Sequence, residues 1–418
     1  MKILYVSFLH PAVAPGGAQQ IAYEMFEAAT EAKFEASFLA AIDPNNPLKL
    51  SKPGAVITGF EGRPHEYLFF PQNYKHDTFQ INDERTLHFL SEFLQDIAPS
   101  VVHIHHYLFA STDLIVLCKK VLPSAKIVLH LHEMLAICMK DGQMLTSDRR
   151  LCYASSPVAC HKCFPESDPD FFFIRKEMIQ SAFRLVDHFV APTNFLMNRY
   201  IDWGIDKNRI TAIPNGTKRD AGFRPQGRSE QVNRFGFFGQ IVDNKGLDVI
   251  FHAALSLIKD PSVRRPIVID INGSNLRFAS PRLKSIYEEY RVRRDELATA
   301  GVEINFLGEY DRAGLAARMA RVDWVLVPSV WWETWALVVS EAWLFGKVPI
   351  VSNLGALSER VEHLKNGLHF DVGSSVALAQ TIKSCAYNAA LHEKLGSAAP
   401  QIIDNFKMLE LHQPIYNF

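Results

Sequence analysis

The chain lacks an excess of either charge. In 418 residues, 44 Lys and Arg stand against 45 Asp and Glu, for a net charge of −1. A protein held to nucleic acid by neutralising phosphates needs a basic excess or stripe, so that class is disfavoured. There is no apolar run of about 18 residues or more, and no membrane-spanning helix is expected. The start, Met1 to Pro11, carries one charge, a short apolar run and no small-residue cleavage site. It reads as a buried first strand and not as a secretory signal. The expected location is the cytoplasm, with peripheral contact at the inner face of a membrane left open, since a balanced total does not exclude a local patch. Long like-charge blocks are missing as well. With 48% hydrophobic and 21% charged residues, disorder is excluded and two or three globular domains are expected. Cysteine is sparse at six residues, yet Cys138, Cys152, Cys160 and Cys163 fall within 26 positions. In a chain of the cytosol such clustering points to metal ligation more than to disulfides.

What is present is alternation. Short Val- and Ile-rich runs at 2–9, 34–41, 101–104, 127–131, 188–191 and 210–213 are separated mostly by helical patterns, the first over 18–32. This predicts parallel strands joined by crossover helices. Residues 215–233 are polar, and no apolar periodicity survives there. The alternation then restarts, with strands at 234–239, 267–271, 324–328 and 348–352 and helices at 247–258, 315–320 and 336–345. The expected organisation is an N-terminal domain over 1–216, a linker over 217–233, a second domain over 234–399 and a final helix within 400–418. Residues 60–85 show no clear period and are expected to be irregular. The fold class is α/β, two doubly wound Rossmann-like domains. Open parallel sheets bind ligands at the C-terminal ends of their strands, here expected to face a central cleft.

Several patterns carry chemistry. In Pro328-Ser329-Val330-Trp331-Trp332-Glu333-Thr334-Trp335-Ala336-Leu337-Val338-Val339-Ser340-Glu341-Ala342 two glutamates stand eight positions apart. On one helix they would be turned by about 80° and separated by about 12 Å, so Glu333 is placed in the preceding loop and Glu341 two turns inside the helix. A carboxylate can accept from two vicinal sugar hydroxyls; a capped, solvated helix is the alternative. Lys245-Gly246 follows a strand and opens a helix, a place where a cation and backbone N–H groups can meet a diphosphate, or where a lysine is simply solvated. Gly16-Gly17 after the first strand is either a close-approach loop or a tight turn, and the pattern is not G-x-G-x-x-G. On a strand His130 and His132 share a face. His103, His105 and His106 precede them at another strand end. The spacing C-x13-C-x7-C-x2-C supplies enough thiolates for Zn²⁺ or an Fe–S cluster, with reduced loop thiols as the alternative. No D-x-D motif stands at a strand end, so no catalytic metal is expected. Phe171-Phe172-Phe173 near Arg175 and Lys176 reads either as a lipid-facing patch or as a helix packed in the core.

The segment from Arg321 to Val361 resembles the signature of the retaining glycosyltransferases of family 4, which have the GT-B fold. The resembling residues are Asp323, Pro328-Ser329, Glu333, Glu341, Ala342, Gly346, Pro349, Gly355 and Glu359. The resemblance implies that Glu341 binds the ribose of a nucleotide-diphosphate sugar and Glu333 its hexose. It places the backbone of Thr334, Trp335, Ala336 and Leu337 near sugar and phosphate. Phe237 to Asp248 resembles the family's phosphate loop, with Lys245 on the diphosphate and Gln240 where the family often has Arg. Gly16 and Gly17 resemble its glycine loop. His132 resembles the strand-end histidine beside the donor sugar, with His105 a weaker candidate. The cysteine set, Cys138, Cys152, Cys160 and Cys163, resembles insertions in some members and would be structural. The implied activity is retaining transfer of a sugar to a glycan or lipid-linked hydroxyl acceptor, in bacterial-type polysaccharide or glycolipid assembly. A sugar-nucleotide epimerase or hydrolase of the same build, and a non-catalytic sugar-nucleotide-binding subunit, stay open.

Overall fold

A computed structural model describes residues 1–14, 16–43, 54–218, 231–264 and 266–417. The polar segment 219–230, at the centre of the expected linker, lies outside them, as does Pro15 beside the glycine pair. The chain forms two compact units, Met1–Lys218 with Ile403–Phe418, and Arg219–Ile402.

In the N-terminal unit the strands run 210–212, 188–191, 126–130, 101–104, 2–8, 35–41, 66–69 and 57–59 across one sheet. All pair in parallel except 57–59, which is antiparallel at the edge. Strand 2–8 is buried along its centre because helices cover both faces of such a sheet, which is why it reads as a continuous apolar run and not as an alternating one. Strand order reverses between 2–8 and 101–104, the topological switch point. The helix Asn405–Tyr416 belongs to this unit. Asn405 Nδ2 donates to Glu24 Oε2 of the helix Gly17–Glu31 at 2.9 Å.

The expectation of an irregular 60–85 is corrected in part. Glu66–Phe69 is a strand of the main sheet, paired in parallel with 35–41. Its Glu66 is buried and accepts at 2.7 Å from Nε2–H of His10, whose Nδ1 in turn accepts from the Ala12 backbone. A buried carboxylate 56 positions from its partner breaks the local apolar pattern. The Phe171–Phe173 segment opens the helix Pro169–Phe183. Phe172 packs inward, while Phe173 and Ile174 stay exposed. Arg175 is buried and donates to the carbonyls of Leu135, Ala136 and Asp77 at 2.7, 2.8 and 2.6 Å. It anchors the segment after His132 and is not part of a surface patch.

The C-terminal unit has strands in the order 302–308, 267–274, 234–240, 324–327, 348–352 and 368–370, all parallel. Trp324 and Leu326 pack into one core and Val325 and Val327 into another. That period of two places apolar side chains on both faces of the sheet. Strand order reverses between 234–240 and 324–327. Among the described residues no helix is long and apolar enough to cross a membrane.

Candidate active site

The two loops that leave the switch-point strands of the C-terminal unit are laced together. After 234–240 comes a single 3₁₀ turn, Asp243–Lys245, ended by Gly246 with φ 71°. A Cβ on Gly246 would lie 1.9 Å from the carbonyl oxygen of Pro328, which follows the other strand. Only glycine fits that left-handed, close-packed position. Val330 N donates to Asn244 O at 3.0 Å, tying the same loops.

This close approach sets Lys245 Nζ 2.7 Å from Glu333 Oε1. The same oxygen accepts from Ser329 Oγ at 2.6 Å and from Trp331 Nε1 at 2.9 Å. The Lys245 ammonium also lies 5.3 Å from the centre of the Trp331 ring. Burial pushes the Glu333 carboxyl up, but Lys245 and the two further donors outweigh it and hold the group below the usual carboxylate range. Glu333 is therefore an anion at neutral pH with its charge fixed in position.

Glu341 lies in the helix Leu337–Leu344. It is one turn inside and not two, because the helix begins only after Ala336, a non-glycine residue at φ 60°. Arg360 holds that strained turn. It is half-buried, donates to the carbonyls of Trp335 and Ala336 and to Ser340 Oγ, and its guanidinium carbon lies 3.5 Å from the centre of the Trp335 ring. Burial lowers it to about 9. Glu341 lies near Tyr310, and its charge adds to burial in raising that phenol. Thr334, Trp335, Ala336 and Leu337 thus form the entry of the helix directly after Glu333. Gln240 is exposed at the end of its strand.

In the N-terminal unit Gly17 is the first residue of the helix Gly17–Glu31. Gly16 precedes it in extended backbone, where a Cβ would come within 2.3 Å of the Gln19 side chain, its nearest obstacle. His132 lies just past the strand Lys126–His130 and its Nε2 is 3.0 Å from His105 Nδ1. Burial and the neighbouring imidazoles His106 and His412 lower its pKa to about 3, so it is neutral. Next to it, burial pushes Glu133 up to about 7, against the Leu135 backbone N–H, Tyr107 and Arg175. The four cysteines are all half-buried, and none of them forms a disulfide. Burial, followed by several backbone hydrogen bonds and the charges of other thiols in the set, governs Cys138, Cys152 and Cys160, with all three raised on balance. Among the described residues the three metal-binding side chains whose ligand atoms lie within 4.8 Å of one another are His103, His105 and His130.

Two family descriptions match the chain, "Glycosyltransferase Family 4" over residues 15–220 and "Glycosyl transferases group 1" over residues 218–402. The chain belongs to glycosyltransferase family 4. Curated relatives are more distant. The chain is 29% identical over 103 residues to a phosphatidyl-myo-inositol mannosyltransferase of Mycobacterium leprae, a match covering 25% of the chain and 28% of that protein. It is 30% identical over 182 residues to a D-inositol 3-phosphate glycosyltransferase of Jonesia denitrificans, covering 43% of the chain and 38% of that protein. The matches thus span between a quarter and two fifths of these relatives' length. Among solved structures, Anabaena Alr3699/HepE in complex with UDP aligns over 100% of both chains at 16% identity, with a TM-score of 0.66. At that identity the likeness establishes the GT-B fold and nothing finer.

For this family 4 chain, the structure brings Lys245, Glu333 and the Thr334–Leu337 turn together around one switch point. Sequence reasoning missed Arg360, Ser329 and Trp331 as partners. Ser329 and Trp331 stand beside Glu333 in the chain and could have been named as its donors. Arg360 had no local signal, because what it binds is mainly backbone carbonyl 24 and 25 positions away.

Proposed function

We propose that the protein is a retaining glycosyltransferase that moves a hexose from a nucleotide-diphosphate sugar to a hydroxyl of a glycan or lipid-linked acceptor. One observation carries this reading: a buried anion, Glu333, locked by Lys245, Ser329 and Trp331 at the switch point of the C-terminal sheet. Lys245 neutralises the departing diphosphate, assisted by the positive end of the helix Leu337–Leu344. Glu333 accepts from the hexose hydroxyls and Glu341 from the ribose. Gln240, Gly16 and Gly17 serve the donor phosphates by hydrogen bonds alone. His132 of the N-terminal unit, neutral at pH 7, is the second catalytic residue. The acceptor oxygen bonds to the anomeric carbon on the face from which the diphosphate leaves; the anomeric carbon–oxygen bond breaks and the diphosphate takes the acceptor's proton. No catalytic metal takes part in this scheme. UDP bound to a protein of the same fold supports a nucleotide donor.

The reaction belongs to the cytoplasm, in polysaccharide or glycolipid assembly. The exposed Phe173 and Ile174, with Tyr153 and Val158, support contact with a membrane or a lipid-linked acceptor. Cys138, Cys152, Cys160 and Cys163 are proposed to hold a structural Zn²⁺ or Fe–S cluster on the strength of their spacing, although their ligand atoms do not lie within 4.8 Å of one another in sets of three or more among the described residues; metal analysis of protein with intact thiols tests it. For the reaction, a panel of nucleotide sugars is screened by thermal shift, and transfer is then followed by mass spectrometry of the product. Glu333→Ala and His132→Ala are each expected to abolish transfer in a folded protein. Donor binding with no transfer to any acceptor would favour a silent binding subunit, and a donor altered without acceptor would favour an epimerase.

A further inference from the structure

The N-terminal unit holds a second group of side chains to which the proposed reaction assigns no chemical step. His103 lies in the strand Val101–Ile104, His105 follows its end, and His130 closes the neighbouring strand Lys126–His130. They are 0%, 1% and 1% exposed. Their ring centres stand 4.3 Å apart for His103 and His105, 4.9 Å for His105 and His130, and 5.7 Å for His103 and His130.

Their nitrogens divide into two kinds. Nδ1 of His103 meets the Tyr416 hydroxyl at 2.7 Å, and Nδ1 of His105 meets His132 Nε2 at 3.0 Å. The remaining nitrogens, Nε2 of His103, Nε2 of His105 and both of His130, are buried without a hydrogen-bond partner. Asn215 lies near His130 but closes no hydrogen bond to it. Buried polar atoms are rarely left this way, and four on three adjacent rings need an occupant. His412 borders the trio, 5.2 Å from His103 and 5.5 Å from His130 between ring centres. Its Nδ1–H donates to the Met408 carbonyl at 2.7 Å, which leaves Nε2 a bare lone pair, also buried and unpartnered.

We infer that His103, His105 and His130 bind one divalent d-block cation of the zinc class. Each presents a nitrogen within 4.8 Å of the nitrogens of the other two. Tetrahedral Zn²⁺ with Zn–N bonds of about 2.0–2.1 Å holds its nitrogens roughly 3.3 Å apart, so the nitrogens approach by up to about 1.5 Å. The rings, now 37°, 16° and 25° from parallel in pairs, rotate about their side-chain bonds to aim their in-plane lone pairs at one point. Neutral imidazole with no carboxylate in the set suits Zn²⁺, Co²⁺, Ni²⁺ or Cu²⁺ and disfavours Mg²⁺ and Ca²⁺. The outer contacts fit as well, since a ligating histidine characteristically gives its other N–H to a fixed partner. Tyr416 is that partner for His103 and His132 for His105. A cation on Nε2 of His105 leaves its proton on Nδ1, donated to His132. His132 then accepts at Nε2 and carries its own proton on Nδ1. The ion thus acts as a positioning element for His132.

The test uses the full-length chain without an affinity tag, carrying Cys160→Ser and Cys163→Ser to remove the terminal thiolate pair, and stripped with a chelator. Titration with Co²⁺ is expected to saturate near one equivalent, with a visible d–d band and no sulfur-to-cobalt charge transfer. Zn²⁺ should displace the Co²⁺ and raise the melting temperature by several degrees, and Mg²⁺ should do neither. His103→Phe and His130→Phe, checked for fold by circular dichroism, should each weaken Co²⁺ binding by about 100-fold or more. An absence of saturable Co²⁺ and Zn²⁺ binding overturns the inference, as does binding that both phenylalanine variants leave unchanged. Should those variants fail to fold, the titration of the cysteine-substituted chain decides alone.

Discussion

The two units use one architecture and opposite electrostatics. Each has an open parallel sheet with a switch point, and in each the side chains of interest leave the strands that flank or neighbour it. In the C-terminal unit the buried charge is matched: one oxygen of Glu333 takes three donors. In the N-terminal unit the same kind of position is lined with neutral imidazoles, several with open nitrogens. The doubly wound fold therefore fixes where functional groups stand and leaves their charge to the residues. A matched ion pair is ready for a charged ligand at neutral pH. A neutral histidine array is ready for a cation, and it is vulnerable to protons.

That vulnerability makes the largest prediction. Burial, helped by neighbouring imidazoles at most of them, lowers the pKa of His103, His105, His106, His130, His132 and His412, to about 3 for His132 and about 4 for His106 and His412. The folded state keeps them neutral, while the unfolded chain takes up protons below about pH 6.5. More protons on the unfolded side means that stability drops as the pH drops. Glu133, raised to about 7, takes up a proton when folded and opposes one of the six. Stability of the N-terminal unit should therefore fall steadily as the pH drops from about 6.5 toward about 4. In the C-terminal unit, Glu333 is held below its usual range, so its contribution is kept until the pH falls below about 4.5. Limited proteolysis at pH 5.5 should cut within 1–218 and spare 231–402. Cleavage in the reverse order would break the contrast.

The second prediction concerns the matched pair. Glu333→Gln is expected to lower kcat/KM for transfer by about 1,000-fold and Lys245→Ala by about 100-fold. In Lys245→Ala the carboxylate keeps Ser329 and Trp331, so its position should survive. Steady-state kinetics with each variant, beside unchanged circular dichroism, checks both values.

How far such contrasts could be read beforehand depends on whether the contact is local. The strands at 101–104, 188–191 and 348–352 agree with their apolar runs, because burial on both faces leaves an unbroken signal. The strand Glu66–Phe69 did not, because its first residue is a carboxylate satisfied by His10 and Tyr23 from far along the chain. Glu333 and Lys245 could each be singled out from their own segment. Their 2.7 Å contact depends on Gly246 passing the Pro328 carbonyl, an approach no linear pattern records. The parity of His130 and His132 was legible within a strand. The convergence of His103, His105 and His130 depends on two parallel strands in register and on a C-terminal helix, so it emerged only in three dimensions.

Gly246 sharpens the comparison from the backbone side. Gly246 and Gly346 share almost the same φ, 71° and 67°, but a Cβ meets Pro328 at 1.9 Å in the first case and nothing within 4 Å in the second. Gly346→Ala should cost about 1 kcal/mol, the left-handed strain alone. Gly246→Ala adds displacement of the Pro328 carbonyl and should cost about 3 kcal/mol. Denaturant midpoints give both values, and equal losses would mean that the close approach of the two loops is not needed.

The smallest effect tests the matched site's edge. Gln240 ends the strand Arg234–Gln240 and is exposed, so an added cation there acts through screened water. If its side chain lies by the donor phosphates, Gln240→Arg should tighten the nucleoside diphosphate of whichever donor the thermal-shift panel selects about threefold, within the range of an exposed charge pair. The gain should shrink toward zero as salt rises from about 0.05 to 0.5 M, because the Debye length falls below the separation of exposed charges. Calorimetric titration at both salt concentrations reads the effect. A gain that salt does not diminish would mean that the arginine makes a buried bidentate contact, and the phosphates would then lie deeper against the strand end than an exposed Gln240 implies. An affinity that is unchanged at low salt would place Gln240 outside the donor site and leave Lys245 as the cation responsible for the diphosphate.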